Sequence, residues 1–211
     1  MNLPHEIQSL LSAFSKAQDL AGDVDHLLAA FGREITREHV PRVTRLAEKL
    51  ALQFGVDVQA ARTAALLHDI GGVFRYDQMV PLCEALGLPV EPEERRVPML
   101  LHAKLSVVLA REWQGITSPE VLQAIRYHTT LHGQSTALDQ VVFLADKLEW
   151  DQGGQPPYFA ALSAALNESL ETGTRWMLSW MALPEAKLLI PHPDLREAWR
   201  SYGIAPAHGM Q

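Results

Sequence analysis

The chain has 211 residues, 47% of them hydrophobic and 20% charged, an ordinary globular composition long enough to bury one sizeable core. Its formal net charge of -7 argues against a broad cationic surface for nucleic acid, and its single cysteine, Cys83, excludes an intrachain disulfide framework. The opening stretch lacks a basic start followed by an unbroken apolar run, and no apolar run reaches bilayer-spanning length, so the expectation is a cytoplasmic protein that engages neither nucleic acid nor membrane.

The predicted elements are helical throughout. Val43, Leu46, Ala47, Leu50, Ala51 and Phe54 form the stripe of an amphipathic helix that Gly55 ends. Val58 to His68, rich in Ala and Leu, reads as a buried helix stopped by Gly71 and Gly72. Phe74 to Pro98 carries several prolines and an acidic stretch, and is expected to be a loop with a short helix. His102, Leu105, Ser106, Leu109 and Trp113 recur at helical spacing until Gly115. Ser118 then serves as N-cap, Pro119 as first helical residue and Glu120 as complement to the helix dipole. Leu138, Val141, Val142, Ala145, Asp146 and Glu149 give another helical face. A polar turn covers Asp151 to Pro157, and Tyr158 to Trp180 is helical again. The expected fold is an all-α single-domain bundle. Residues 1–33 form a helical extension, 34–183 the main domain and 184–211 a proline-containing, partly ordered tail.

Four of the nine histidines fall into an ordered pattern with two aspartates. His39 precedes an amphipathic stripe, His68 and Asp69 end a buried helix, His102 opens a helix, His128 closes one, and Asp146 lies within a strongly apolar one. Each adjoins an apolar stripe and should face the bundle interior. A lone His at a helix end more often caps or packs, a lone Asp more often pairs with a cation, and His-Asp as a dipeptide says little. Two buried carboxylates, however, are expensive. Four imidazoles and two carboxylates converging from successive helices are explained more cheaply by metal coordination. His5, His26, His192 and His208 lie outside the pattern and are read as bland.

The segment ALLHDIGG resembles the signature of HD-domain phosphohydrolases. LLHA (Leu100 to Ala103), AIRYHTT (Ala124 to Thr130) and FLADKLE (Phe143 to Glu149) are similar to the YqeK-type symmetrical diadenosine tetraphosphate hydrolases. The resemblance runs from about Glu38 to Glu149. It implies an HD-domain helical bundle over 34–183 and two divalent or mixed-valence metal ions. Iron is the family expectation, and manganese or zinc would also suit the ligands. His39, His68, Asp69 and Asp146 would hold one ion; Asp69 would bridge to a second, completed by His102 and His128. Asp69, His102 and His128 thereby become the catalytic candidates. A hydroxide shared by the ions would attack phosphorus in line, and diadenosine tetraphosphate would yield ADP twice.

The chain departs from the resembling pattern where phosphate contacts are expected. Thr36 stands where the family usually has a basic residue, Arg42 where it has Gly, and Gly72 where it often has Lys; Leu131 and His132 replace Gly-Arg, and Glu149-Trp150-Asp151-Gln152 replaces Glu-Pro-x-Arg. Candidate substrate contacts in their stead are Arg126, Thr129, Thr130, His132 and Lys104, with Arg75 as a group that could swing over the site and Trp150 as a ring that could stack on a base. Each has an ordinary structural alternative: salt bridging for Arg126, helix termination for the threonines, solvation for Lys104, core packing for Trp150. The expected partner is a small nucleotide, with a homodimer allowed. Two other functions compete: an HD-type nucleotidase or phosphodiesterase acting on another nucleotide, and a slow-turnover nucleotide-binding protein.

Overall fold

The sequence pattern resolves into twelve α-helices in the computed structural model, which describes residues 3–16, 19–152 and 154–207. In chain order they are α1 (His5–Ala13), α2 (Leu20–Ala30), α3 (Glu34–Phe54), α4 (Val58–Leu67), α5 (Tyr76–Ala85), α6 (Pro92–Arg96), α7 (His102–Glu112), α8 (Pro119–Tyr127), α9 (Ala137–Leu148), α10 (Phe159–Glu168), α11 (Leu170–Met181) and α12 (Pro193–Ser201). Short 3₁₀ turns cover Ile70–Val73, Pro98–Leu101 and Pro184–Ala186. No strand occurs among the described residues, and no helix there is long and apolar enough to cross a membrane. The all-α bundle is the fold the sequence led us to expect.

Local chemistry sets the helix ends. Asp57 caps α4 by accepting from the Ala60 amide at 3.0 Å, and Ser118 caps α8, with Pro119 in the first turn. Thr136 and Asp139 form a reciprocal capping box at the start of α9. Gly55 ends α3 in the left-handed conformation, φ 68°. Packing does the rest. Val141 to Ala145 are all fully buried, so α9 is covered on every side and forms the central helix. α3 packs on both α4 and α9, α8 packs on α4, α7 and α9, and α7 packs against the 3₁₀ turn after Asp69. That last contact depends on Gly71. Its amide donates to Ser106 Oγ at 2.8 Å, and a Cβ there would lie 2.2 Å from the His102 carbonyl oxygen.

Three segments differ from the expectation, two by being more ordered and one by being divided. Phe74 to Pro98 holds two helices, α5 and α6, because its prolines do not all break structure: Pro81 lies inside α5, Pro92 starts α6, and Pro98 starts a 3₁₀ turn. Tyr158 to Trp180 is two helices, divided at Ser169, which caps α11 through the Thr172 amide. The segment after Pro184, expected to be loosely ordered, carries α12, whose Leu195, Ala198 and Trp199 are buried in the core. Trp199 Nε1 donates to the Leu178 carbonyl at 2.9 Å.

His192 is not bland. When neutral it accepts the Asp194 amide as N-cap of α12; when charged its Nδ1 faces Asp194 Oδ2 at 3.3 Å instead, and Nε2 lies 3.2 Å from the fully buried Glu94. His26 packs its ring edge-on to Phe14, and His5 Nδ1 lies 3.5 Å from Ser9 Oγ. His208 lies outside the described residues.

Candidate metal centre

Five stretches of chain deliver the six pattern residues to one place. His39 projects from α3, His68 and Asp69 follow α4, His102 opens α7, His128 follows α8, and Asp146 lies near the end of α9. Asp146 Oδ1 is 3.1 Å from His39 Nε2 and 3.7 Å from His68 Nε2. Asp69 Oδ2 is 3.5 Å from His68 Nε2 and 3.9 Å from His39 Nε2. The other oxygen of Asp69, Oδ1, is 3.2 Å from His102 Nε2 and 3.3 Å from His128 Nε2.

The far side of each ring explains its tautomer. His68 Nδ1 lies 2.6 Å from the Ala65 carbonyl, His102 Nδ1 2.6 Å from Met99, and His128 Nδ1 2.8 Å from Ile125, each carbonyl three residues earlier. A carbonyl only accepts, so these bonds assign the ring hydrogen to Nδ1 and leave the Nε2 lone pair facing the cluster. Yet His102 and His128 bring their Nε2 atoms to 3.0 Å, and His39 and His68 to 3.4 Å. Two lone pairs that close need a cation between them, proton or metal. The backbone bonds are the outer support that metal-binding imidazoles characteristically receive. His39 lacks it: its Nδ1 is buried and has no hydrogen-bond partner.

The electrostatics suit metal donors. Burial drives the His68 imidazole down to about 4, so it is neutral near pH 7 and free to coordinate. Burial also opposes charge on Asp69 and Asp146. The surrounding imidazoles, and Lys147 beside Asp146, overcome it and hold both carboxyls well below their usual range. Burial likewise disfavours protonated His39 and His102, but the hydrogen bonds and charges of Asp146 and Asp69 respectively hold these rings above their ordinary value. A divalent cation would displace the protons of His39 and His102, and neutral imidazoles with ionised carboxylates are its donor set. His39, His68 and Asp146 form one group able to hold an ion; His68, Asp69 and His128 form another.

The cluster opens into a cavity of about 380 Å³. Of the proposed substrate contacts, Trp150 and Thr129 line it, and Thr129 Oγ1 is 2.9 Å from His128 Nε2. The others are engaged in the fold. Lys104 is buried, with Nζ donating to Glu94 at 2.7 Å and to the Pro89 carbonyl at 2.6 Å. Arg126 pairs with Asp194 at 3.0 Å. His132 stacks on Tyr127 and lies 3.2 Å from Asp139, so it does not bring a cation to the cavity. Thr130 donates to the Leu131 carbonyl and faces a neighbouring cavity. Arg75 is paired with Asp77 on the surface. Arg42 reaches Glu149 and the Trp150 carbonyl, fixing the loop after α9. The cavity's cations, missed in the sequence, are Lys147 and Arg33. Lys147 donates to Asp146 Oδ2 at 2.7 Å, and adjacency to a candidate ligand was the available signal. Arg33, at the mouth of α3, holds the Val73 and Phe74 carbonyls.

The profile described as HD domain matches residues 36–151, the stretch that supplies all six side chains. The chain belongs to the HD domain family. HD domains bind divalent metal ions, and the two His/Asp groups offer donors for them. A Lactococcus lactis subsp. cremoris protein, named only as an uncharacterized protein in the pepC 5' region, is 41% identical over 138 residues, covering 65% of this chain and 70% of that one. A Bacillus subtilis protein named bis(5'-nucleosyl)-tetraphosphatase, symmetrical, is 29% identical over 128 residues, 59% of this chain and 68% of its own. The fold matches the crystal structure of a Clostridium acetobutylicum protein described as a predicted HD superfamily hydrolase involved in NAD metabolism. The TM-score is 0.75 at 24% identity, over 86% of this chain and 95% of that one.

Proposed function

We propose that this HD domain is a metal-dependent phosphohydrolase that cleaves dinucleoside polyphosphates, with diadenosine tetraphosphate giving two ADP. The observation that carries the reading is the division of labour at Asp69, one oxygen toward His39 and His68, the other toward His102 and His128. It supports a bridging carboxylate between two ions. His39, His68 and Asp146 complete one set and His102 and His128 the other. The reading also draws on the Bacillus subtilis relative, whose name states symmetrical tetraphosphatase activity.

Two bound ions would acidify water and neutralise phosphate oxygens. The chain's own residues supply the rest. The i−3 carbonyl bonds hold three imidazoles in one orientation, so the donors need no rearrangement when substrate arrives. Lys147 holds Asp146 in place and presents a cation at the cavity wall, suited to the negative charge of a polyphosphate. Thr129 Oγ1 offers a hydroxyl beside His128 and His102. Water attack on phosphorus releases a nucleoside diphosphate, and positioning carries the rate.

Iron is the proposed metal, the cytoplasm the proposed location, and residues 34–183 the proposed catalytic unit between flanks 1–33 and 184–211. A homodimer is the proposed assembly, checked by sedimentation. Incubating metal-loaded protein with diadenosine tetraphosphate tests the activity. ADP as sole product supports it, whereas ATP with AMP rejects symmetrical cleavage. One observation favours a second reading, a nucleotidase or phosphodiesterase on a smaller nucleotide: Lys104, Arg126 and His132 are all engaged elsewhere. Turnover of a mononucleotide without turnover of the tetraphosphate selects it.

A further inference from the structure

Beside the metal cavity lies a second one of about 260 Å³, and the two share Thr129, Lys147, Trp150, Gln152 and Tyr158 as a common wall. Their characters differ. The first is lined by the His/Asp cluster and its cations. The second is walled by Met177, Trp180 and Met181 of α11, by Leu188 and Ile190 beyond it, and by Leu195 of α12. These residues lie outside the 36–151 match, so the HD domain alone does not build this cavity.

The aromatic side of the cavity is held rigid. Trp150 Nε1 donates to the Gly154 carbonyl at 2.9 Å, and Tyr158 OH to the Lys147 carbonyl at 3.1 Å. Tyr158 packs against Trp150, with ring centroids 6.2 Å apart, and against Trp180 at 5.7 Å. Flat rings fixed before a ligand arrives lose little entropy on stacking. Polar groups are few: Thr130, Gln152 and His192, with Thr129 and Lys147 on the shared wall. The volume falls short of the roughly 300 Å³ at which whole drug-sized ligands begin to fit. One base with its sugar is of the right order; a full dinucleotide is not. Lys147 stands between the cavities with Nζ 2.7 Å from Asp146, where a phosphate chain leaving the metal cluster would pass.

We propose that this second cavity seats a purine nucleoside, the end of the substrate farther from the attacked phosphorus, with Trp150, Tyr158 and Trp180 reading its flat face and Lys147 meeting the phosphates between. The proposal rests on the phosphohydrolase reading, which makes a nucleotide the ligand of the adjoining cluster. It gives the chain a physical reason to prefer a substrate with a nucleoside at each end.

The test is methionine-methyl NMR on the zinc-loaded full chain. Met177 and Met181 report on the second cavity, Met79 and Met99 on the first. Adenosine is expected to shift the first pair, and D-ribose to leave it in place. Absence of a shift, an equal shift by ribose, or a shift confined to Met79 and Met99 overturns the proposal. So does a response to sodium octanoate without one to adenosine, which would mark a site for an alkyl chain. Ala186→Trp and Leu188→Trp each fill the cavity from its outer wall. Either should lower kcat/KM for diadenosine tetraphosphate relative to inorganic tripolyphosphate by about tenfold, the scale of a lost base stack. An equal fall for both substrates, in a variant that still melts cooperatively, overturns the assignment. The methyl shifts need no turnover. A wild type that binds adenosine at Met177 and Met181 but spares the tetraphosphate would sink the catalytic reading and leave the nucleoside seat standing.

Discussion

Asp69 presents Oδ1 to His102 Nε2 at 3.2 Å while keeping Oδ2 3.5 Å from its chain neighbour His68. One side chain therefore links histidines from opposite sides of the cluster. Asp69→Asn preserves shape and removes the charge. The expected result is loss of bound metal and a fall in turnover on the order of 100-fold or more, since outer-support substitutions alone reach 10- to 100-fold. Elemental analysis beside a product assay checks it; full metal content in the variant would refute the bridging role.

Lys104 and Glu94 form a buried pair, 6% and 0% exposed, and neither lines the cavity of the His/Asp cluster. Lys104→Met leaves the Glu94 carboxylate without its closest cation. The expected destabilisation is about 3–5 kcal/mol, the range for breaking one half of a buried pair. Denaturant melts should show that loss with KM unchanged. A raised KM at native stability would instead place Lys104 on substrate.

Gly71 and Gly72 should respond oppositely to side chains. Gly71→Ala forces a Cβ against the His102 carbonyl and the Ser106 amide, both backbone. We expect a loss of about 1–3 kcal/mol, the usual cost of overpacking, with metal affinity falling because His102 moves. A Cβ at Gly72 meets nothing within 4 Å, and the residue lines the metal cavity. Gly72→Lys should fold normally and lower KM for polyphosphate substrates. Thermal melts and steady-state kinetics separate the two.

His192 gives the C-terminal segment a pH dependence. Burial disfavours its charged form, but hydrogen bonds to Asp194 and then Glu94 raise its imidazole above 6.5. A raised folded-state value stabilises the fold fully below the unfolded value of 6.5 and loses that contribution as pH climbs through the folded one. Stability measured from pH 6 to 9 should therefore decline more steeply in the wild type than in His192→Gln. Parallel curves would show that His192 does not titrate in that window.

Cys83 is fully buried, and burial pushes its thiol up to about 12. The native protein should resist a thiol reagent at pH 8 and react fully once unfolded, as a colorimetric titration would show.

The convergence of the six His/Asp side chains was legible in the sequence because each sits at the edge of an apolar helical stripe, and the stripes define which way the helices face. The substrate contacts were not. Arg126, Lys104 and His132 are near the ligands in sequence, yet their partners Asp194, Glu94 and Asp139 were invisible to spacing. Ion pairs that cross from one element to another leave no periodic trace. α12 was similarly hidden, since prolines near a helix start read as disorder when the cap His192 goes unrecognised. The departure at Leu131 acquires a meaning in the fold. Its φ of 57° is left-handed, the conformation that favours the Gly of the resembling family, while its side chain is fully buried. Burial of the leucine offsets the strained backbone.

The order of the chain also orders its manufacture. All six side chains of the cluster have been synthesised by Asp146, whereas Trp180, Leu188 and Leu195 emerge from the ribosome later. A nascent chain thus acquires its candidate metal donors before it has the wall proposed to seat a nucleoside.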